Sequence, residues 1–97
     1  YLPQKNNQIV CGCFDPEKDP QAPYIILVGN GPQITQKAQQ LSQQSNPIPV
    51  FVKEGASEWK YQGDFFCKRY SQDPDEIQCV GSLSQRRDIT GVIYLGK

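Results

Sequence analysis

Aromatic and cationic side chains are interleaved through residues 53–70, the segment that holds most of the candidate binding residues. The aromatic members are Trp59, Tyr61, Phe65, Phe66 and Tyr70, and the cationic members are Lys53, Lys60, Lys68 and Arg69. Aromatic rings flanked by cations can stack on a nucleobase while the cations bind its phosphates, and stacking contributes about 1–3 kcal/mol per base. The alternative interpretation is that β-propensity alone places these aromatics in strands.

The tripeptide Glu58-Trp59-Lys60 matches the E-x-K half of the PD-(D/E)xK nuclease motif, in which two carboxylates hold a divalent metal ion and the lysine orients water. The preceding carboxylates belong to Asp15, Glu17 and Asp19, which lie in a distant proline-rich loop. A three-residue match is weak evidence for a nuclease. The chain also has no histidine, which excludes Ser-His-Asp and Cys-His catalysis. We predict no catalytic residue and no metal site.

Asn30 and Gly31 belong to a Gly-Asn-Gly-Pro turn that precedes a predicted helix. The first backbone N–H groups of a helix are unpaired and attract anions, so this turn is a candidate phosphate-binding site. It matches neither the P-loop nor GxGxxG, and an ordinary strand-to-helix turn also explains it.

Four cysteines could bind zinc, form disulfides or remain thiols. Cys11 and Cys13 are close in sequence, but Cys67 and Cys79 are twelve positions apart, so the two tight pairs of a four-cysteine zinc site are missing. Disulfides would require an oxidising compartment, for which the sequence gives no sign. We expect mostly buried thiols, no cofactor and a cytoplasmic location, with zinc and disulfides as the open alternatives.

The size and composition of the chain limit its function further. With 97 residues we expect one domain, residues 1–97, excised from a larger multidomain protein. Mean hydropathy is -0.60 and the longest apolar run is residues 24–28, so no membrane span is expected. Ten Lys and Arg balance ten Asp and Glu, which excludes a strongly basic protein that coats nucleic acid non-specifically.

The apolar pattern predicts a small α+β domain in the order β-β-α-β-β-β-α-β, with a mainly antiparallel curved sheet or partly open barrel. Strands are predicted at residues 8–14, 24–28, 48–53, 58–62, 65–70 and 90–95. We expect Gly63 and Asp64 to turn the chain between two of these strands, which with residues 48–53 would form an antiparallel meander.

Two helices are predicted to complete the domain. The first covers residues 32–44 and buries Ile34, Ala38 and Leu41, which recur at helical spacing. The second begins near Asp73 and runs through Ile77, Val80 and Leu83, because acidic residues favour the first turn of a helix.

Three runs of this sequence resemble a known kind of domain. They are PYIILVGNGPQI at residues 23–34, PIPVFVK at residues 47–53 and EWKYQGDF at residues 58–65. A β-strand followed by W-x-Y-x-G-x-Y/F is similar to the SRA-like and PUA-like readers of modified bases in bacterial modification-dependent restriction enzymes, some of which carry HNH nuclease modules. The resemblance spans about residues 9–95, and Phe65 stands where tyrosine is expected, so no hydroxyl is available there.

This resemblance implies a non-catalytic module that reads DNA. Such a reader extrudes a modified base, modified cytosine above all, and encloses it between aromatic faces and hydrogen-bonding groups. The base contacts that it implies come from Trp59, Tyr61, Asp64 and Tyr70, with Asp64 accepting the exocyclic amine of cytosine. The phosphate contacts that it implies come from Lys53, Lys60, Lys68, Arg69, Asn30 and Gly31.

The partners implied by the resemblance are double-stranded DNA carrying a modified base and a covalently linked catalytic domain. Because the net charge is zero, such a reader would need its cations gathered on one side. Two other classes stay open: a protein-interaction module, which would show an exposed apolar patch, and the PD-(D/E)xK metal-dependent nuclease.

Overall fold

The described residues, 2–82, 84 and 86–97, form a curled β-sheet with two helices in this computed structural model. The elements are β1 (Gln4–Lys5), β2 (Gln8–Ile9), β3 (Gly12–Phe14), β4 (Ile25–Val28), α1 (Pro32–Gln43), β5 (Ile48–Lys53), β6 (Trp59–Ser71), α2 (Pro74–Gly81) and β7 (Gly91–Gly96). Five strands form a mixed sheet in the order β3-β5-β6-β7-β4 that curls into a half-barrel, while β1 and β2 form a separate antiparallel ribbon. The predicted α+β class with a partly open barrel is confirmed.

The hydrophobic core lies between α1 and the sheet. Its buried members are Ile9, Phe14, Ile26, Val28, Ala38, Leu41, Ile48, Val50, Phe65, Ile93 and Leu95. Helix α1 begins with Pro32, whose fixed φ suits the first helical position, and it contributes Ala38 and Leu41 to the core as predicted. The expectation for Ile34 was wrong, because its side chain is 48% exposed.

Residues 8–14 form two short strands, whereas the alternation predicted one. Ile9 and Phe14 are both buried but lie five positions apart, so an unbroken strand would put them on opposite faces. The strand is interrupted between them, and the side chain of Gln44 forms the hydrogen bonds to the backbone of Ile9 that a neighbouring strand would otherwise form. Its Oε1 accepts from the N–H of Ile9 at 2.8 Å, and its Nε2 donates to the carbonyl of Ile9 at 2.9 Å.

Strand β6 is continuous through Gly63, so the predicted turn and meander at this point were wrong. Val50 of β5 pairs with Gly63 and Phe51 pairs with Tyr61, which leaves Gln62 as an extra residue in a β-bulge. Gly63 has a φ of 120° that favours glycine, and it lets the strand bend without ending. One bent strand of 13 residues therefore replaces two of the predicted strands.

A second bulge in β6 changes which side chains face the core. Cys67 pairs with Leu95 and Arg69 pairs with Tyr94, so Lys68 is the extra residue. Unbroken alternation would group Arg69 with Phe65 and Tyr70 with Phe66. The bulge reverses this grouping beyond Lys68, so that Tyr70 packs against the core and Arg69 faces outward.

Helix α2 lies against β7 and is capped at its start. Asp73 accepts a hydrogen bond from the N–H of Asp75 at 3.0 Å, and Pro74 occupies the first turn. Leu83, predicted to lie on this helix, is outside the described residues. In the described part of the chain the longer helix, α1, has 12 residues, and no helix has the length and apolar character needed to span a membrane.

The two edges of the half-barrel are β3 and β4, and the loop of residues 15–24 connects them. Asp19 in this loop accepts a hydrogen bond from the backbone N–H of Leu27 at 2.9 Å. This bond occupies an outward-facing donor of the edge strand β4, which would otherwise be open to pairing with another chain.

Because Phe65 and Phe66 lie on opposite faces of β6, replacing each of them should have a different effect on the stability of the fold. Phe65 is fully buried and its ring meets Tyr24 edge-on at 5.6 Å between centroids, whereas Phe66 is 37% exposed. Phe65→Ala should lower the free energy of unfolding by about 3–5 kcal/mol because it leaves a cavity in the core. Phe66→Ala should cost about 1 kcal/mol or less. Urea denaturation of both variants measures the difference, and equal losses would contradict the assigned facing.

Candidate nucleic-acid interface

Four aromatic side chains lie on the face of β5 and β6 that is turned away from the core. They are Phe51, Trp59, Tyr61 and Phe66, and we call this set the aromatic face. Trp59 is 48% exposed and Tyr61 is 51% exposed, and the ring of Tyr61 lies 5.5 Å from that of Phe51 across the strand pair. Exposed aromatic rings that lie together are typical of surfaces that bind a partner or a ligand. The prediction that Trp59 and Tyr61 share a face and are available for stacking agrees with this arrangement.

The hydroxyl of Tyr61 is held in place by Asp64. Its Oη donates to Oδ1 of Asp64 at 2.7 Å, which raises the pKa of Tyr61. The bond fixes the tyrosine ring and leaves the carboxylate able to accept further hydrogen bonds. Two of the predicted base-contacting residues therefore contact each other.

Two predicted phosphate-binding lysines, Lys53 and Lys68, lie on the side of the aromatic face, whereas Lys60 alternates with Trp59 and Tyr61 and lies on the opposite face of β6. Lys53 is paired with Trp59 across β5 and β6, and Lys60 lies 3.9 Å from Glu54 with both side chains more than half exposed. Lys68 stands at the second bulge, where its alkyl chain lies over Gly96 and would collide with any Cβ at that position. Exposed pairs such as Lys60 with Glu54 are weak, so Lys60 can exchange its partner for a phosphate.

The side chain of Arg69 is already bound to a carboxylate of the same chain, that of Glu76. Its guanidinium makes two hydrogen bonds to the carboxylate of Glu76 and lies 4.6 Å from the centre of the Tyr94 ring. The hydroxyl of Tyr94 also donates to Glu76. A phosphate would have to displace a bidentate carboxylate, so the geometry does not favour Arg69 as the phosphate contact that was predicted.

Asn30 and Gly31 lie away from the aromatic face. They follow β4, whose last residue Val28 pairs with Gly91 beside the C-terminal end of β6, whereas Trp59 begins that strand. The N-terminus of α1 already has an anion, because the backbone of Asn30 is hydrogen-bonded to Asp88. Arg86 and then this backbone bond lower the pKa of Asp88. A carboxylate of the chain therefore occupies the place predicted for phosphate.

Tyr70 packs against the core on the opposite face of β6. Its Oη is buried without a hydrogen-bond partner, and burial raises its pKa. The ring lies so close to Gly91 that a Cβ there would approach it to 2.7 Å. The placement of Tyr70 thus separates it from Trp59, Tyr61 and Asp64.

The carboxylates considered for a nuclease are not gathered into one centre. No group of three Asp, Glu or Cys side chains that could hold a metal ion occurs in the described part of the chain. Asp19 is instead bonded to Leu27, and Oδ1 of Asp15 accepts from the backbone N–H of Glu17. No disulfide joins the four cysteines, all of which are described, and the expectation of mostly buried thiols was wrong, because three are half-buried and Cys79 is exposed.

Phe51 and Phe66 are the members of the aromatic face that the predicted site omits. The sequence carries a signal for Phe51, which alternates with the apolar residues Ile48, Val50 and Val52 in the predicted strand. Phe66 faces outward only because the bulge at Gln62 turns Phe65 inward, and the sequence pattern has no mark of that bulge.

Comparison of this chain with protein-family models, with curated proteins and with solved structures found no match. The resemblance to SRA-like and PUA-like readers therefore stays a prediction. The function has to be argued from the geometry of the site.

The cluster around Glu76 predicts how stability depends on pH. Hydrogen bonds from Ser71, Tyr94 and Arg69 lower the pKa of Glu76 from 4.5 to about 2. Because the folded state binds this proton more weakly than the unfolded state, the stabilisation is present above pH 4.5 and is lost as pH falls towards 2. Glu76→Gln should therefore flatten the fall in stability over this range, as measured by urea denaturation at several pH values. Glu58→Gln, which removes an exposed carboxylate, is the matched control, and equal slopes for wild type and Glu76→Gln would contradict the assignment.

Proposed function

We propose that this chain is a DNA-binding module that reads a modified base, modified cytosine above all, by stacking it on the aromatic face. The observation that carries the proposal is that Trp59 and Tyr61 are each about half exposed, side by side, on the face of the sheet turned away from the core. Burial in the core is the ordinary use of such large rings, so their exposure calls for a ligand with a flat apolar surface.

The base would lie against Trp59 and Tyr61 after leaving the DNA stack. Stacking on an aromatic ring is worth about 1–3 kcal/mol per base and tolerates any base. Asp64 sits beside Tyr61 and can accept a hydrogen bond from an exocyclic amine in addition to the one from the tyrosine hydroxyl. The aromatic face is open, since its four rings line none of the clefts around Asp19, Ile77 and Asp15 in the described residues. A base bound there would therefore stack on aromatic rings with one of its two faces only.

The phosphates would be bound by Lys53 and Lys68, which lie on the side of the aromatic face, and by Lys60, which lies on the opposite face of β6 near its start. These contacts position the DNA and carry no sequence information. Arg69 and Asn30 are left out of the proposed interface because Glu76 and Asp88 are already bonded to them, and Gly31 is left out because it lies away from the aromatic face. Because Glu54, Glu58 and Asp64 accompany these lysines and the net charge of the chain is zero, the lysines would act as individual phosphate contacts.

The module would recruit a covalently linked catalytic domain to modified DNA in the cytoplasm and would not itself cut DNA. This part of the proposal rests on the resemblance of residues 23–34, 47–53 and 58–65 to readers in restriction enzymes. Cysteines without disulfides are usual in a reducing compartment.

A protein-interaction module is the second candidate. It is favoured by the mixed charge around the aromatic face, where Glu54, Glu58 and Asp64 accompany the lysines. Such a partner would bury Trp59 and Tyr61 as anchors at the centre of an interface. DNA titration separates the two candidates, because an interaction module would not bind DNA even at low salt.

Tyr61→Ala should weaken DNA binding by about 1–3 kcal/mol while the melting temperature stays within a few degrees. The ring is half exposed, so its loss removes a stacking surface and little of the core. Binding is measured on duplexes with cytosine, 5-methylcytosine, 5-hydroxymethylcytosine or a glucosylated base. Tyr24→Ala, which removes an exposed tyrosine outside the aromatic face, is the control and should leave binding unchanged.

Three outcomes of this titration would count against the proposal. Equal affinity of the wild type for modified and plain duplexes would leave a non-specific DNA-binding module. Equal losses in the Tyr61 and Tyr24 variants would place the DNA elsewhere. Absence of binding at low salt would favour the interaction module.

Lys68→Ala should weaken binding to every duplex by a similar factor, because phosphate contacts do not read the base. The slope of the logarithm of the binding constant against the logarithm of salt concentration should become shallower by about 0.7–0.9. Lys5→Ala, at an exposed position of the β1–β2 ribbon, is the matched control. A Lys68 variant with an unchanged salt slope would remove Lys68 from the interface.

A further inference from the structure

A cleft of about 340 Å³ lies at the opening of the half-barrel, apart from the aromatic face. Phe14 of β3 and Ile26 of β4 belong to the two edges of the sheet, and both line it. Ala38 of α1 covers it from the helix side. Its volume is in the range of small-molecule sites, which is about 300–1,000 Å³.

The walls of the cleft are mainly apolar. Phe14, Ile26, Val28, Ala38 and Ile93 all line it, and each is buried. Ile34 stands at the cleft with 48% of its surface exposed, although it was predicted to be in the core. An exposed isoleucine beside an apolar cleft provides a lip against which an apolar ligand can pack.

Four charged residues, Lys18, Asp19, Lys37 and Arg86, interrupt these walls, and Asp19 and Arg86 form a close pair among them. Asp19 and Arg86 both line the cleft, and Nη1 of Arg86 lies 3.9 Å from Oδ1 of Asp19. Their side chains are only 10% and 25% exposed. The separation is too long for a direct hydrogen bond, since N–H···O distances are about 2.7–3.2 Å.

Both groups are fixed by other bonds. The Leu27 backbone N–H holds Asp19 at 2.9 Å, and Asp88 accepts from Nε and Nη2 of Arg86 at 3.2 and 3.3 Å. The cleft thus presents a fixed acceptor, Asp19, beside a fixed donor, Nη1 of Arg86. Fixed polar groups in an apolar site determine the orientation and identity of a ligand.

We propose that this cleft binds a small neutral molecule with a compact apolar body and one head group, a primary amide or a hydroxyl, that donates to Asp19 and accepts from Arg86. The apolar body would pack against Ile26, Val28 and Ile93. The head group would lie between the two charged side chains and satisfy both, which a purely apolar ligand cannot do.

The same pair discriminates against charged head groups. A carboxylate between them would accept from Arg86 but would face the carboxylate of Asp19, and an ammonium group would face Arg86 with Lys18 and Lys37 nearby. Burial of unpaired charge is costly, so ionised analogues of the same body should bind more weakly. This binding site is independent of the proposed DNA interface.

The test is an NMR titration of the full chain, with isotope labels at its Ile, Leu and Val methyl groups. Four small molecules that share a phenyl body are added in turn. Phenylacetamide and 2-phenylethanol carry the matching head groups, and phenylacetate and 2-phenylethylamine carry the charged ones. The methyl signals of Ile26, Val28 and Ile93 should shift with the amide and the alcohol, and the ionised pair should bind about tenfold more weakly or worse. Tyr61→Ala should leave these shifts unchanged, whatever the result with DNA.

Asp19→Asn is the decisive variant. Asparagine keeps an oxygen for the Leu27 N–H but replaces the other acceptor with a donor, so amide affinity should fall about tenfold or more. If this variant does not fold, Ala38→Leu fills the cleft and should abolish the shifts. No shift at millimolar amide, preference for the carboxylate, or unchanged affinity in the folded Asp19→Asn variant would each overturn the proposal.

Discussion

The two extra residues of β6, Gln62 and Lys68, determine which side chains of the longest strand are buried. Each bulge shifts the alternation of the strand by one position. With both bulges in place, Phe65 and Tyr70 face the core while Tyr61 and Arg69 face outward. Without the bulge at Gln62, Tyr61 and Phe65 would share a face, and one of these rings would be misplaced. The aromatic face therefore exists because the strand is irregular.

Carboxylates of the chain occupy several positions at which a ligand anion could have bound. Glu76 holds Arg69, and Asp88 is bonded to the backbone of Asn30 just before α1. Asp19 protects the open edge of β4 through Leu27. These internal contacts engage Arg69 and the backbone of Asn30, two of the groups predicted to bind phosphate.

The sequence predicted elements whose signals are local. Strand β5 occurs at the predicted residues, and α1 ends one residue before its predicted end. Strand β4 begins one residue later than predicted, and β7 is shifted by one residue at both ends.

Predictions from local sequence patterns failed where pairing between distant residues determines the structure. Gly63 looked like a turn, but pairing with Val50 keeps it inside a strand. Gln44 looked like the last residue of a polar helix face, but its side chain replaces strand pairing at Ile9. In the candidate site, the shared face of Trp59 and Tyr61 followed from simple alternation, whereas Tyr70 and Arg69 were placed on the wrong faces because the bulge at Lys68 was not foreseen.

The fluorescence of Trp59 tests the central claim most directly, because it is the only tryptophan in the chain. Its ring is 48% exposed on the aromatic face, so its emission reports on contacts at that face alone. A duplex carrying a modified cytosine should quench this emission through base stacking, in step with binding measured by anisotropy of labelled DNA. Binding that leaves the Trp59 emission unchanged would place the DNA on another surface and would contradict the proposed interface.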